Sequence, residues 1–164
     1  CIYASSPVTD GQKVWIYYMG GNGQHTNFRE SSLGRAYWEA DKFACWTEKN
    51  EGMESILTTT TLTLGGNYIE VLADEADAEK DWELMASVHP VWTENAYEGL
   101  GMEDAVTEKS GRWIRISWKG KKLPDKSGCI RFQFKNLKIW AVRGELEYKG
   151  HRLWEGADME NEGM

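Results

Sequence analysis

The stretch that decides the fold runs Arg112-Trp-Ile-Arg-Ile-Ser-Trp118, then Cys129-Ile-Arg-Phe-Gln-Phe134, then Leu137-Lys-Ile-Trp-Ala-Val142. Side chains on a β-strand alternate between two faces. In the first run Ile114, Ile116 and Trp118 share a face opposite Arg115 and Ser117. In the second, Ile130, Phe132 and Phe134 oppose Arg131 and Gln133. In the third, Leu137, Ile139 and Ala141 oppose Lys138 and Trp140. The pattern predicts three half-buried strands. Gly120, Pro124 and Gly128 punctuate the first connector, and Lys135-Asn136 sits where a tight turn belongs. A three-stranded antiparallel meander over Arg112–Val142 is therefore expected.

Working outward, the same signals recur. Lys13–Met19, Leu33–Trp38, Phe43–Thr47, Ser55–Leu64, Tyr68–Ala73 and Trp82–Val88 are rich in β-branched and aromatic residues and read as strands. Gly65-Gly66-Asn67 reads as a hairpin turn, Thr93–Ser110 as a long loop or a bulged edge, and Glu145–Tyr148 as a last short strand. No amphipathic helix stands out. About nine short strands predict an all-β fold, an antiparallel β-sandwich of jelly-roll type with an N-terminal β-hairpin extension. The expected organisation is one domain over residues 1–155, with the strands of residues 1–50 packed on it and 156–164 a disordered acidic tail.

Composition narrows the function classes. The chain has 164 residues, 41% of them hydrophobic, and a net charge of -7. Those values suit a globular domain and argue against non-specific nucleic-acid binding, which needs a basic footprint. No apolar run reaches the roughly 18 residues that suggest a membrane span. The chain starts at Cys1, which suits a mature processed protein or a piece of a longer one. Cys1, Cys45 and Cys129 lack metal-ligand spacing. They are compatible with one disulfide and a spare thiol or with three free thiols, and Cys1 is placed to link a homodimer. A non-covalent dimer is the other option.

Candidate chemistry is sparse. Asp74, Glu75 and Asp77 form the densest acidic run, read as a solvated loop with a structural calcium ion as the alternative. No cofactor is required. His25, His89 and His151 have no metal-ligand partner nearby in sequence, and there is no nucleophile elbow, phosphate loop or dinucleotide fingerprint. Nine tryptophans fill a core or supply platforms for flat ligands. A pyranose offers an apolar face to such a ring and hydroxyls to planar polar side chains. Two loops combine both. The first joins Trp15 and Tyr17 to Asn22, Gln24, His25, Asn27 and Arg29; the second holds Trp92, Asn95 and Tyr97.

One ordered series of motifs carries a resemblance. It comprises Tyr17-Tyr18-x-Gly20-Gly21 with His25, Leu33-Gly34-Arg35-Ala36, Asp41-Lys42-Phe43, Leu57-Thr58-Thr59 with Gly65-Gly66, Trp118-Lys119-Gly120, and Ile130–Phe134 with Leu137–Trp140. Over about residues 10–143 the chain resembles the C-terminal portion of the invertase/levanase-like glycoside hydrolases, where a five-bladed propeller precedes a β-sandwich. In that family the catalytic carboxylates lie in early blades that have no counterpart here. The resemblance thus implies no catalytic residue. It implies a secreted, non-catalytic, lectin-like carbohydrate-binding module related to the accessory sandwich. The alternatives are a C-terminal fragment of a hydrolase whose catalytic part is missing, a carrier of apolar or aromatic small molecules with a Trp-rich pocket, and a matrix protein assembling through Cys1.

Overall fold

The computed structural model describes residues 2–24, 26, 30–50 and 52–149. The expected disordered tail, Cys1 and His151 lie outside them. The described residues form antiparallel β-sheets and one 3-10 turn, so the all-β expectation holds. Two compact units divide the chain, Cys1–Cys45 and Trp46–Met164.

The first unit is one antiparallel sheet. A hairpin of β3 (Lys13–Gly21) and β4 (Ser31–Glu39) pairs along its whole length. β1 (Ile2–Ala4) and β2 (Val8–Thr9) share the other edge of β3. The expected N-terminal hairpin is thus present, widened to four strands. None of the described residues of this unit is buried.

The second unit holds the core. One sheet runs β5 (Trp46–Thr47), β12 (Leu137–Tyr148), β7 (Leu62–Glu75), β10 (Trp113–Trp118) and β9 (Ala105–Ser110). The other places β11 (Lys126–Lys135) between β6 (Ser55–Thr58) and β8 (Glu83–His89). The inward positions are those that the alternation marks: Ile114, Ile116, Trp118, Ile130, Phe132, Phe134, Leu137 and Ile139 are buried in one cluster with Leu64, Ile69, Val71, Leu84, Ala86 and Val88. The largest of these rings, Trp118, also donates its Nε1–H to the Ala86 carbonyl at 3.0 Å. At the corner β11 leaves β7 and joins β8. There a Cβ on Gly128 would stand 2.7 Å from both the His89 carbonyl oxygen and Leu64 Cδ1, so only glycine permits the approach.

Five expectations are corrected. First, the meander does not form. β10 and β12 flank β7 on opposite sides, and β11 lies in the other sheet. Asn136 does not make a hairpin; it carries the chain from one sheet to the other. Alternation reports which face is buried, and both sheets bury the same kind of face. Second, Gly65-Gly66-Asn67 is no turn. β7 runs through it and widens into a bulge. Third, the end of Thr93–Ser110 is not a loop but, as the edge reading of that stretch has it, a sheet edge: a 3-10 turn (Met102–Asp104) leads into the edge strand β9. Fourth, a bulge at Trp140 turns Ala141 to the outer side, opposite Leu72, and brings Val142 inward opposite Val71. The third run from 43 is also shorter than expected, only Trp46–Thr47.

Candidate functional site

The bulge in β7 builds a polar concavity. Gly144 on β12 pairs with Ile69, yet the next residue, Glu145, pairs with Gly65. Gly66, Asn67 and Tyr68 therefore have no partner on β12 and stand out of the ladder. Gly66 adopts φ +83°, and a Cβ there would lie 3.2 Å from the Glu145 carboxylate. Glycine is needed for both reasons. The backbone is fixed from the other side, where the Leu123 N–H donates to the Gly66 carbonyl at 2.9 Å. The result is an open pocket of about 290 Å³ lined by Gly66, Asn67, Tyr68, Glu70, Arg143, Gly144 and Glu145.

Its electrostatics are fixed by the register. Glu70 faces Arg115 on β10 and Arg143 on β12. Arg143 Nε donates to Glu70 Oε2 at 2.8 Å and Arg115 Nη2 to Oε1 at 3.2 Å. The Arg143 bond chiefly, with help from Arg115 and against the effect of burial, holds the Glu70 pKa below its ordinary value. Each guanidinium also lies over a ring: Arg115 over Tyr68 at 4.1 Å and Arg143 over Trp113 at 4.0 Å. The Tyr68 ring remains 39% exposed. The pocket thus combines an accessible aromatic ring, a carboxamide, a guanidinium and two carboxylates.

The predicted site residues are dispersed. Trp15 is half-buried on the β3/β4 face. Its Nε1–H donates to Asp10 Oδ2 at 3.0 Å, and Arg35 and Tyr37 stack on it at 4.5 and 4.8 Å. That bond, with the Lys13 and Gln12 backbone N–H groups, pulls the Asp10 pKa down to about 2. Tyr17 is exposed on the same face, opposite Arg35. Asn22 lies seven residues along from Trp15, roughly 20 Å at the rise of a strand. Its carboxamide closes the hairpin loop on Glu30, accepting from the Glu30 N–H at 3.0 Å and donating to Oε2 at 3.3 Å. Gln24 is exposed. His25, Asn27 and Arg29 lie outside the described residues. Trp15 and Asn22 therefore stand apart along the strand.

The second loop also splits. Trp92 is 78% exposed at φ +63°, a left-handed conformation that is strained for a bulky residue. Asn95 is exposed, and its carbonyl accepts from Thr93 Oγ1 at 3.1 Å. Tyr97 instead packs against the core, with its hydroxyl 3.3 Å from the Ser127 carbonyl and Lys126 over its ring.

Asp10, Glu48, Glu70 and Asp77 all have a carboxyl pKa held below its ordinary value. A general acid needs the opposite shift. Ser87 Oγ and His89 Nε2 lie 2.7 Å apart, but both residues are buried. Burial lowers the His89 pKa and raises that of Cys129, so neither an imidazolium nor a thiolate is favoured there. The acids of the 74–77 run serve separate neighbours: Asp74 accepts from Trp140 Nε1, Glu75 pairs with Lys109, and Asp77 pairs with Lys80. Among the described residues no group of three or more His, Cys, Asp or Glu is placed to hold a metal ion, and Cys45 and Cys129 are free thiols. No helix among them is long and apolar enough to cross a membrane.

Sequence reasoning missed Asn67, Tyr68, Glu70, Arg115, Arg143 and Glu145. The available signal was glycine inside a strand pattern, which marks a bulge as readily as a turn. No protein-family model, curated protein or solved structure matches the chain.

Proposed function

We propose that the sandwich of the second unit is a secreted, non-catalytic, lectin-like module that binds carbohydrate in the pocket opened by the β7 bulge. One observation carries this reading: the exposed Tyr68 ring stands in an open pocket beside Asn67, Arg143, Glu70 and Glu145. An aromatic ring suits the C–H face of a pyranose, and planar amide, guanidinium and carboxylate groups suit its hydroxyls. Arg115 stacks on the Tyr68 ring and is not among the residues lining the pocket.

The test is titration calorimetry with fructan, β-glucan and xylan oligosaccharides against the wild type, Tyr68→Ala and Arg143→Ala. One sugar class should bind saturably, and Tyr68→Ala should weaken it about tenfold, as expected for a lost stacking contact. Flat titrations across all classes, or a Tyr68→Ala protein that binds unchanged, refute the reading.

A second reading has its own observation. The Cys1–Cys45 sheet buries none of its described residues, whereas a sheet ordinarily packs against a further layer. In the hydrolases that the chain resembles, the matching strands close a propeller. On this reading the chain is the C-terminal part of a glycoside hydrolase whose catalytic carboxylates lie elsewhere in the polypeptide. A full-length transcript with upstream acid-bearing repeats would establish it; one without them would remove it.

A further inference from the structure

The Cys1–Cys45 sheet ends on a long open edge. Among the described residues β4 pairs only with β3. The backbone bonds fix which groups of β4 face outward. The Ala40 N–H donates to the Gln12 carbonyl at 2.8 Å and the Asn22 N–H to the Glu30 carbonyl at 3.2 Å, both in the register that sets Lys13 against Glu39. Residues of an antiparallel ladder alternate between pairs that exchange bonds and pairs that do not. The even positions of β4 therefore bond β3. The odd ones, Leu33, Arg35, Tyr37 and Glu39, turn their N–H and carbonyl groups to the free side. Among the described residues only the Glu39 carbonyl finds a backbone partner there, the Lys42 N–H at 3.2 Å.

This edge lacks the usual protections. An edge strand is ordinarily short, or carries proline, a bulge or charges that repel a second strand. β4 has nine residues against a usual five or six or about that, no proline, and no break in its ladder with β3. Its two charged side chains, Arg35 and Glu39, have opposite signs and share the face of the odd row. Arg35 stacks on Trp15, and Glu39 reaches Lys42 at 3.0 Å yet stays exposed. Tyr37, also exposed, lies midway between them.

We propose that a second copy of the chain adds at this edge, β4 against β4 about a twofold axis. Such an isologous contact sets the two strands antiparallel. Charge complementarity selects the register. Setting Tyr37 against the partner's Tyr37 brings Arg35 opposite the partner's Glu39, and symmetry repeats the pair. Opposite charges directly across a ladder attract and like charges repel. A register centred on Arg35 would oppose two guanidiniums, and one centred on Ala36 would oppose Glu39 to the partner's Leu33. In the chosen register the odd row of one copy bonds the odd row of the other, which satisfies the outward N–H and carbonyl groups of Arg35 and Tyr37. The inference goes beyond the sugar-binding reading and does not rest on it.

Sedimentation of the full chain in reductant, which removes any dimer linked through Cys1, measures the association. The wild type should dimerise as concentration rises. Arg35→Glu and Glu39→Arg each set like charges across the axis and should weaken the dimer about tenfold or more. An equimolar mixture of the two variants restores opposite charges at both positions of a mixed pair and should recover the dimer. Amide exchange gives a readout with no substitution. On dilution the amides of Arg35 and Tyr37 should exchange faster, whereas those of Ala36 and Trp38, already bonded to β3, should not change. A wild type that stays monomeric to about 1 mM overturns the proposal. So does a dimer that both variants leave intact, a mixture that stays monomeric, or a dilution response shared by both rows.

Discussion

The Asn136 carboxamide closes a ring on the backbone of Asp77, accepting from its N–H at 2.8 Å and donating to its carbonyl at 2.8 Å. A third bond runs from Asn136 Nδ2 to the Lys80 carbonyl at 2.7 Å. The residue is buried and sits at φ +53°, where the chain passes between the sheets. Asn136→Ala removes all three bonds and places an alanine in a left-handed conformation. It should cost about 2–4 kcal/mol by urea denaturation. Asn136→Gly should recover part of this loss, because glycine tolerates the backbone. A loss under about 0.5 kcal/mol for Asn136→Ala would mean that the crossover is held by something else.

Gly66→Ala tests the bulge. The new methyl meets both an unfavourable φ and the Glu145 carboxylate. It should destabilise by about 1–2 kcal/mol and weaken sugar binding more than Asn67→Ala does, because it reshapes the pocket and does not merely trim it. Calorimetry on the two variants gives the ranking, and equal effects would show that the bulge does not shape the pocket.

Two tryptophans should answer differently. Trp118 is fully buried and bonded to Ala86, so Trp118→Ala should cost about 3–5 kcal/mol. Trp92 is exposed and strained, so Trp92→Asn should stay within about 0.5 kcal/mol of wild type, asparagine being tolerant of positive φ. A large loss at Trp92 in chemical denaturation would reveal packing that the exposed ring does not show.

His89 sets an acid limb. Burial, chiefly, and the Arg131 charge lower its folded pKa below 6.5. Ser87, Cys129 opposite it in the ladder and the Glu94 and Asn95 backbone are its other neighbours. The unfolded chain therefore binds the proton more readily. This contribution is complete above about pH 6.5 and is lost as pH falls toward the folded pKa. The urea midpoint should drop between about pH 7 and about pH 5, and His89→Gln should flatten that slope. An unchanged slope would place the acid sensitivity elsewhere.

How far the fold could be read from the residues depends on what alternation encodes. Ile114, Ile116, Trp118, Ile130, Phe132 and Phe134 all lie where their period of two placed them. Their strand partners did not follow, because a sandwich offers the same apolar face to both sheets. Lys135-Asn136 has the composition of a hairpin turn. What makes Asn136 a crossover is its bonding to Asp77, 59 positions away, which no local window contains. The candidate site was hidden for a similar reason. Glu70, Arg115 and Arg143 are ordinary outward residues of three strands until register aligns them. Trp15 was legible as an aromatic on a sheet face, but its distance from Asn22 followed from strand length, not loop composition.

The lack of any buried residue among those described in the Cys1–Cys45 sheet has a calorimetric consequence. The heat capacity of unfolding scales with the apolar surface newly wetted. A sheet whose apolar side chains are only part-covered, Trp15, Ile16 and Trp38 among them, has less left to wet than the sandwich, so its melting should add the smaller share of the signal in a scanning experiment. The curvature of stability with temperature, and any cold denaturation, would then belong chiefly to the sandwich. A thermal midpoint measured on this chain would chiefly describe the second unit and say less about whether the first is folded.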